Sequence, residues 1–128
     1  MALELRSAAR SDVGMVRIGN EDSGYASSRL LIVADGMGGH LAGDVASRLA
    51  TSTVADFFRR TAAEDVTWPF HFDTSLSEEE NRLLTGIRIA NRQIFEKSAT
   101  SREHRGMGTT VVGALFSLAL LVVALRLA

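Results

Sequence analysis

Residues 30–40 read LLIVADGMGGH, an apolar run that ends at Asp35 and is followed by a glycine-rich turn. A short, continuous apolar run bounded by turn residues is typical of a buried strand. The pattern predicts a strand over about residues 29–35, with a hairpin partner over about residues 22–28. Asp35 would then stand at the end of the strand, held rigidly at the edge of a sheet. Alternating apolar residues near the N-terminus predict a further short strand over about residues 2–10.

Two segments further along the chain carry apolar residues at helical spacing. Between residues 41 and 60, apolar or small residues recur every three or four positions, and two arginines stand at the end, where cations suit the helix dipole. Residues 77–98 repeat the pattern after a capping-box sequence, in which Ser77 is followed three positions later by Glu80. We therefore predict helices over about residues 41–60 and 77–98.

The C-terminal segment permits two interpretations. Residues 106–125 contain no charged residue, and this stretch is long enough for a membrane-spanning helix. The β-forming residues at positions 109–112 favour strands instead. We predict two buried strands over about residues 109–116 and 118–124, and a C-terminal membrane anchor is the alternative.

The composition narrows the class of protein. The chain has 128 residues, a formal net charge of −1, 46% hydrophobic residues and no cysteine. The apolar fraction is typical of a globular domain, and the lack of cysteine excludes disulfides, zinc fingers and thiol catalysis. The near-neutral charge provides no general attraction to nucleic acid, so no nucleic-acid partner is expected. Because the N-terminus has no apolar stretch of signal-peptide length, we expect a cytoplasmic protein.

Acidic residues cluster at two places in the first part of the chain. Glu21 and Asp22 follow Arg17 closely, and Asp35 is followed by Gly36. Carboxylate and carbonyl oxygens are the ligands that Mg²⁺ and Mn²⁺ prefer, and an arginine can bind two phosphate oxygens at once. A glycine also lets the backbone bend so that its own carbonyl faces an ion. Taken singly, however, an Asp-Gly pair is usually a turn, and the other residues are usually surface residues.

Four motifs in a fixed order are more specific than any of these residues alone. They are SDVG at residues 11–14, Arg17 with NED at residues 20–22, VADGMGGH at residues 33–40 and GMGTT at residues 106–110. In this combination the chain resembles the bacterial branch of the PP2C-type (PPM) serine/threonine protein phosphatases, over nearly its whole length. The resemblance implies an α+β fold that forms the N-terminal part of a four-layer α-β-β-α sandwich.

The resemblance implies a metal centre with two Mn²⁺ or Mg²⁺ ions. Asp35 would bridge the two ions, and Gly36 would provide a carbonyl ligand. Glu21 and Asp22 would support the ions directly or through water.

The resemblance also implies the reaction and the partners. Arg17 would bind the phosphate of the substrate, and His40, which lies near the site in the family, is a less specific candidate for proton transfer or orientation. A metal-activated water would hydrolyse phosphoserine or phosphothreonine in proteins, among them a serine/threonine kinase. No membrane partner is expected.

The chain departs from the family at its C-terminal end. Family members are longer, and later aspartates complete their metal site, whereas no acidic residue follows Glu103 here. We therefore expect an incomplete domain that is inactive and binds metal ions weakly as these 128 residues. The alternatives are a non-catalytic module that binds a phosphoprotein or another partner near Arg17, and the membrane-anchored protein described above.

Overall fold

Helices and an antiparallel sheet make up the fold of this chain. The structure, a computed structural model, describes residues 4–16, 19–38, 42–62, 71–116 and 121–127. In chain order the elements are β1 (Asp22–Ala26), β2 (Leu30–Met37), α1 (Ala42–Arg60), α2 (Glu78–Thr100), a 3-10 turn (Arg102–His104), β3 (Gly108–Phe116) and β4 (Leu121–Leu127). The strands form one four-stranded sheet in the order β1-β2-β3-β4, with every neighbouring pair antiparallel. The predicted α+β class is confirmed.

Both helices pack on the same face of the sheet. Helix α1 contacts β1, β2 and β3, and α2 contacts β3 and β4. Side chains alternate between the two faces of a strand, so Leu30, Ile32 and Ala34 of β2 point into the core. Val33 and Val112 point the other way and are 59% and 40% exposed. We call this second side, which no described helix covers, the open face.

The N-terminal segment differs from its prediction. Residues 4–10, the described part of the strand predicted over residues 2–10, contain no strand. Leu5 is exposed. Ala9 lies beside Gly24 of β1, so that a Cβ on Gly24 would be 3.5 Å from the Ala9 Cβ, but residues 4–10 form no hydrogen-bonded ladder with that strand. The alternation there involves too few apolar residues to bury one face of a strand.

The predicted helices lie close to the observed ones. Helix α1 occupies Ala42–Arg60, and position 41 lies outside the described residues. Helix α2 begins after Ser77, whose side chain accepts the N–H of Glu80 while the Glu80 side chain accepts the N–H of Ser77. This capping box begins the helix where the sequence indicated, and α2 runs two residues beyond its predicted end, to Thr100.

Strands occupy the C-terminal segment. Strand β3 begins one residue before its prediction, and β4 lies three residues later than its prediction. Residues 117–120, between them, lie outside the described residues. None of the helices in the described part of the chain is long and apolar enough to cross a membrane.

The end of β2 meets the start of α1 with no room for a side chain. A Cβ on Gly36 would overlap the carbonyl oxygen of Gly43 and lie 2.6 Å from that of Glu21. A Cβ on Gly43 would lie 2.5 Å from Glu21 Oε2 and 2.7 Å from the backbone nitrogen of Met37. In addition, the N–H of Gly36 donates to the carbonyl of Glu21 at 3.1 Å. These contacts fix the end of β2, and with it Asp35, against the start of α1.

A buried asparagine ties the segment before α2 to the helix. Asn81 is 1% exposed, and its side-chain oxygen accepts the N–H of Asp73 at 2.9 Å. Its amide nitrogen donates to the carbonyls of Asp73 and Ser77 at 2.8 and 3.0 Å. The side chain therefore satisfies backbone groups of a segment that forms no regular structure of its own.

We expect Asn81→Ala to lower the free energy of unfolding by about 1–3 kcal/mol, because it removes a buried side chain with several hydrogen bonds and leaves the N–H of Asp73 without its acceptor. Chemical denaturation measures the change. Asn91→Ala is the matched control, because Asn91 is an exposed asparagine of the same helix. Equal effects of the two substitutions would contradict this role for Asn81.

We expect Gly43→Ala to destabilise the chain by about 1–3 kcal/mol, because the new Cβ meets backbone atoms that have no space to move. Gly24→Ala is the control, since its Cβ would meet Ala9 at an ordinary 3.5 Å. Thermal and chemical denaturation of both variants test the expectation. A Gly43→Ala variant as stable as the wild-type chain would show that the contact is not tight.

Candidate metal centre

The pairing of β1 with β2 brings the two acidic clusters of the sequence together. Asp22 lies directly opposite Asp35 in the register. The N–H of Asp35 donates to Thr110 on β3, and the N–H of Asp22 donates to the side chain of Asn20, so neither amide points at the other strand. The two residues therefore form a non-hydrogen-bonded pair, in which Cα atoms are about 4.5 Å apart and side chains approach most closely.

The two carboxylates of this pair lie on the same face of the sheet. Residues that pair across strands share a face, and both Asp22 and Asp35 are exposed, on the open face. Two like charges directly opposite each other repel, and a cation between them removes that repulsion. The carboxylate oxygens are hard ligands of the kind that bind Mg²⁺, Mn²⁺ or Ca²⁺.

Glu21 lies on the other side of the strand from its neighbour. It is half-buried, and its Oε2 stands against Gly43 in the first turn of α1. The free N–H groups and the dipole of a helix N-terminus favour a negative charge there. The structure thus separates the two acids that are adjacent in sequence, with Asp22 beside Asp35 and Glu21 beside the helix.

Two polar side chains to which the sequence analysis gave no role hold the acidic residues in place. Asn20 accepts the N–H of Asp22 at 3.0 Å and donates to the hydroxyl of Ser11 at 2.6 Å. Thr110 accepts the N–H of Asp35 at 3.1 Å. Asn20 and Thr110, and the Ser11 that Asn20 contacts, lie within the motifs NED, GMGTT and SDVG, and their position in these motifs is the sequence signal that could have identified them.

A cavity opens beside the acidic pair. It has a volume of about 460 Å³ and lies between residues 8–11 and the strands β1 and β2, with Asp22 in its wall. A space of this size accommodates a small ligand or a side chain of a partner.

Some candidate residues cannot be placed against this pair. Arg17 and His40 lie outside the described residues. Within the described ranges, no group of three His, Cys, Asp or Glu side chains is arranged to hold a metal ion. The described residues therefore bring together a pair of carboxylates and the backbone around Gly36.

Comparison with known proteins identifies the family. The Protein phosphatase 2C family profile matches residues 19–127. The chain is 39% identical over 117 residues to the serine/threonine protein phosphatase PstP of Mycobacterium tuberculosis, a match that covers 91% of this chain and 20% of PstP. It is 36% identical over 120 residues to the serine/threonine phosphatase stp of Listeria welshimeri, covering 90% of this chain and 44% of that protein.

Solved structures give the same result. The crystal structure of M. tuberculosis PstP/Ppp matches with a TM-score of 0.78 at 39% identity, covering 97% of this chain and 47% of that one. The PstP catalytic domain in complex with two manganese ions matches with a TM-score of 0.74 at 37% identity, covering 95% and 47%. The chain thus spans less than half the length of these relatives. With a profile match over residues 19–127, most of its length, it belongs to the protein phosphatase 2C family.

Proposed function

We propose that this chain carries part of the catalytic centre of a metal-dependent serine/threonine protein phosphatase. The observation that supports this most is the cross-strand pair of Asp22 and Asp35 on the open face, two residues before the end of β2, which runs past its predicted end at Asp35. The family of the chain and the two manganese ions in the related PstP structure support the choice of cation.

The residues of this centre suit a hard divalent cation in part. Asp35 and Asp22 offer oxygen ligands from adjacent strands, and the carbonyl of Gly36 is a further candidate. The described residues hold no third acidic or histidine side chain in the same cluster. Water and residues beyond the described ranges would therefore complete the coordination, and we expect the chain by itself to bind Mn²⁺ or Mg²⁺ weakly.

The proposed reaction is the hydrolysis of a phosphate monoester. When bound, such ions would lower the pKa of a coordinated water and neutralise charge on the phosphate. Asp35 and Asp22 would hold the ions on the open face of the sheet, where β1 begins, and Glu21 would stay beside the first turn of α1. Arg17 is proposed to bind the phosphate and His40 to take part in proton transfer. Both proposals rest on the sequence motifs alone, because the two residues lie outside the described ranges.

The relatives' names indicate the substrates that we propose. PstP and stp are serine/threonine phosphatases, so phosphoserine and phosphothreonine proteins are the proposed substrates. We also propose that a serine/threonine kinase is among these substrates and that the protein is cytoplasmic.

We expect Asp35→Asn to weaken Mn²⁺ binding about ten-fold or more, because it removes a charged oxygen ligand. Electron paramagnetic resonance of free Mn²⁺, titrated with the chain, measures the affinity. Asp56→Asn is the matched control, because Asp56 is an exposed aspartate on α1 that pairs with Arg59, away from the sheet edge.

Any Mn²⁺-dependent hydrolysis of p-nitrophenyl phosphate or of a phosphothreonine peptide should disappear in Asp35→Asn and persist in Asp56→Asn. If Asp35→Asn bound Mn²⁺ as tightly as the wild-type chain does, the metal centre would not lie at the Asp22–Asp35 pair.

A further inference from the structure

The pairing between β2 and β3 is interrupted beside the acidic pair. The paired residues of β2 are 30–33 and 36–37, so Ala34 and Asp35 fall in a gap of the ladder. At this gap the N–H of Asp35 donates to Thr110 Oγ1 at 3.1 Å, and the same hydroxyl lies 3.5 Å from the carbonyl of Asp35. The Thr110 hydroxyl thus takes the place that a strand carbonyl would otherwise hold.

This hydrogen bond acts on the backbone from which the Asp35 carboxylate projects. The register on either side of the gap places Thr110 opposite Asp35, so the two side chains share the open face. Threonine is β-branched and has few rotamers, so its hydroxyl is held in a narrow range of positions. The bond therefore restricts the peptide plane before Asp35 and the direction of its side chain.

We propose that Thr110 is a positioning residue of the metal centre, holding Asp35 in the orientation that binds a cation opposite Asp22. The inference rests on the function proposed above, and Thr110 itself need not touch the ion. Removing a group that hydrogen-bonds to a metal-binding residue typically lowers the metal affinity by about ten- to a hundred-fold.

The neighbouring threonine provides a matched control. Thr109 is fully buried on the face that meets the helices, and its hydroxyl donates to the carbonyl of Thr110 at 2.8 Å. Thr109→Val and Thr110→Val make the same chemical change one residue apart. Only Thr110→Val removes the acceptor of the Asp35 N–H.

The experiment titrates Mn²⁺ into the wild-type chain and into the variants Thr110→Val, Thr110→Ser, Thr109→Val and Asp35→Asn. Electron paramagnetic resonance measures the affinity, and hydrogen exchange of the Asp35 amide in the metal-free chain reports the hydrogen bond directly. Circular dichroism and denaturation show whether each variant is folded. If Thr110→Val does not fold, Thr110→Ala removes the same hydroxyl without a branched side chain.

We expect Thr110→Val to weaken Mn²⁺ binding about ten-fold and to accelerate exchange of the Asp35 amide. Thr110→Ser keeps the hydroxyl and should restore both values to near those of the wild-type chain. Thr109→Val should lower stability and leave the Mn²⁺ affinity unchanged.

Three outcomes would overturn the inference. If Asp35→Asn loses Mn²⁺ binding and Thr110→Val keeps it, the metal centre stands and the role of Thr110 is wrong. If Thr109→Val weakens binding as much as Thr110→Val, the effect is general destabilisation. If the wild-type chain binds no Mn²⁺ at millimolar concentration, the proposed centre fails, and the role of Thr110 fails with it.

Discussion

The contact between Gly36 and Gly43 is the constraint on which the rest of the candidate site depends. Backbone meets backbone there, and a Cβ on either glycine would overlap or crowd atoms of the other segment. The contact joins the last residues of β2 to the first turn of α1, and the carbonyl of Glu21 binds the N–H of Gly36 beside it. Because interiors are close-packed, this crossing allows only one relative position of strand and helix.

That crossing also decides how the acidic residues are distributed. Residues alternate between faces along a strand, so Gly36 faces α1 while Asp35 faces away from it. The same alternation sends Glu21 towards the helix N-terminus and Asp22 towards Asp35. The carboxylates therefore lie in different electrostatic environments. Glu21 lies beside the helix N-terminus, whereas Asp22 and Asp35 each lie beside a like charge. The alternation of faces thus separates a carboxylate beside the helix N-terminus from an exposed pair of carboxylates on the open face.

Local patterns in the sequence predicted the local structure well. The apolar run of β2 and the capping box at Ser77 are encoded within a few residues, and the structure has a strand and a helix start there. The short strand predicted over residues 2–10 did not form in its described part, because alternation of two leucines is too weak a signal.

The arrangement of the candidate site was harder to predict, because it depends on pairing between distant residues. A two-residue turn after Ser27, whose N–H donates to the carbonyl of Leu30, fixes the register that sets Asp22 opposite Asp35. If the length of that turn is known, counting residues back along both strands predicts that Asp22 pairs with Asp35. The bond from Asp35 to Thr110 joins residues 75 positions apart, and nothing local to either residue indicates it.

The acidic pair lies on the same face of the sheet as exposed apolar side chains. Asp35 stands on this face between Val33 and Met37, which are 59% and 50% exposed. Any surface that covered these apolar side chains would also remove water from Asp35 and Asp22, and removing carboxylates from water is costly unless a positive charge lies close to them. A bound cation lowers that cost, and exclusion of water in turn strengthens the attraction between the cation and the carboxylates. By linkage, cation binding and the covering of the open face each favour the other, so we expect metal affinity to increase when that face is covered.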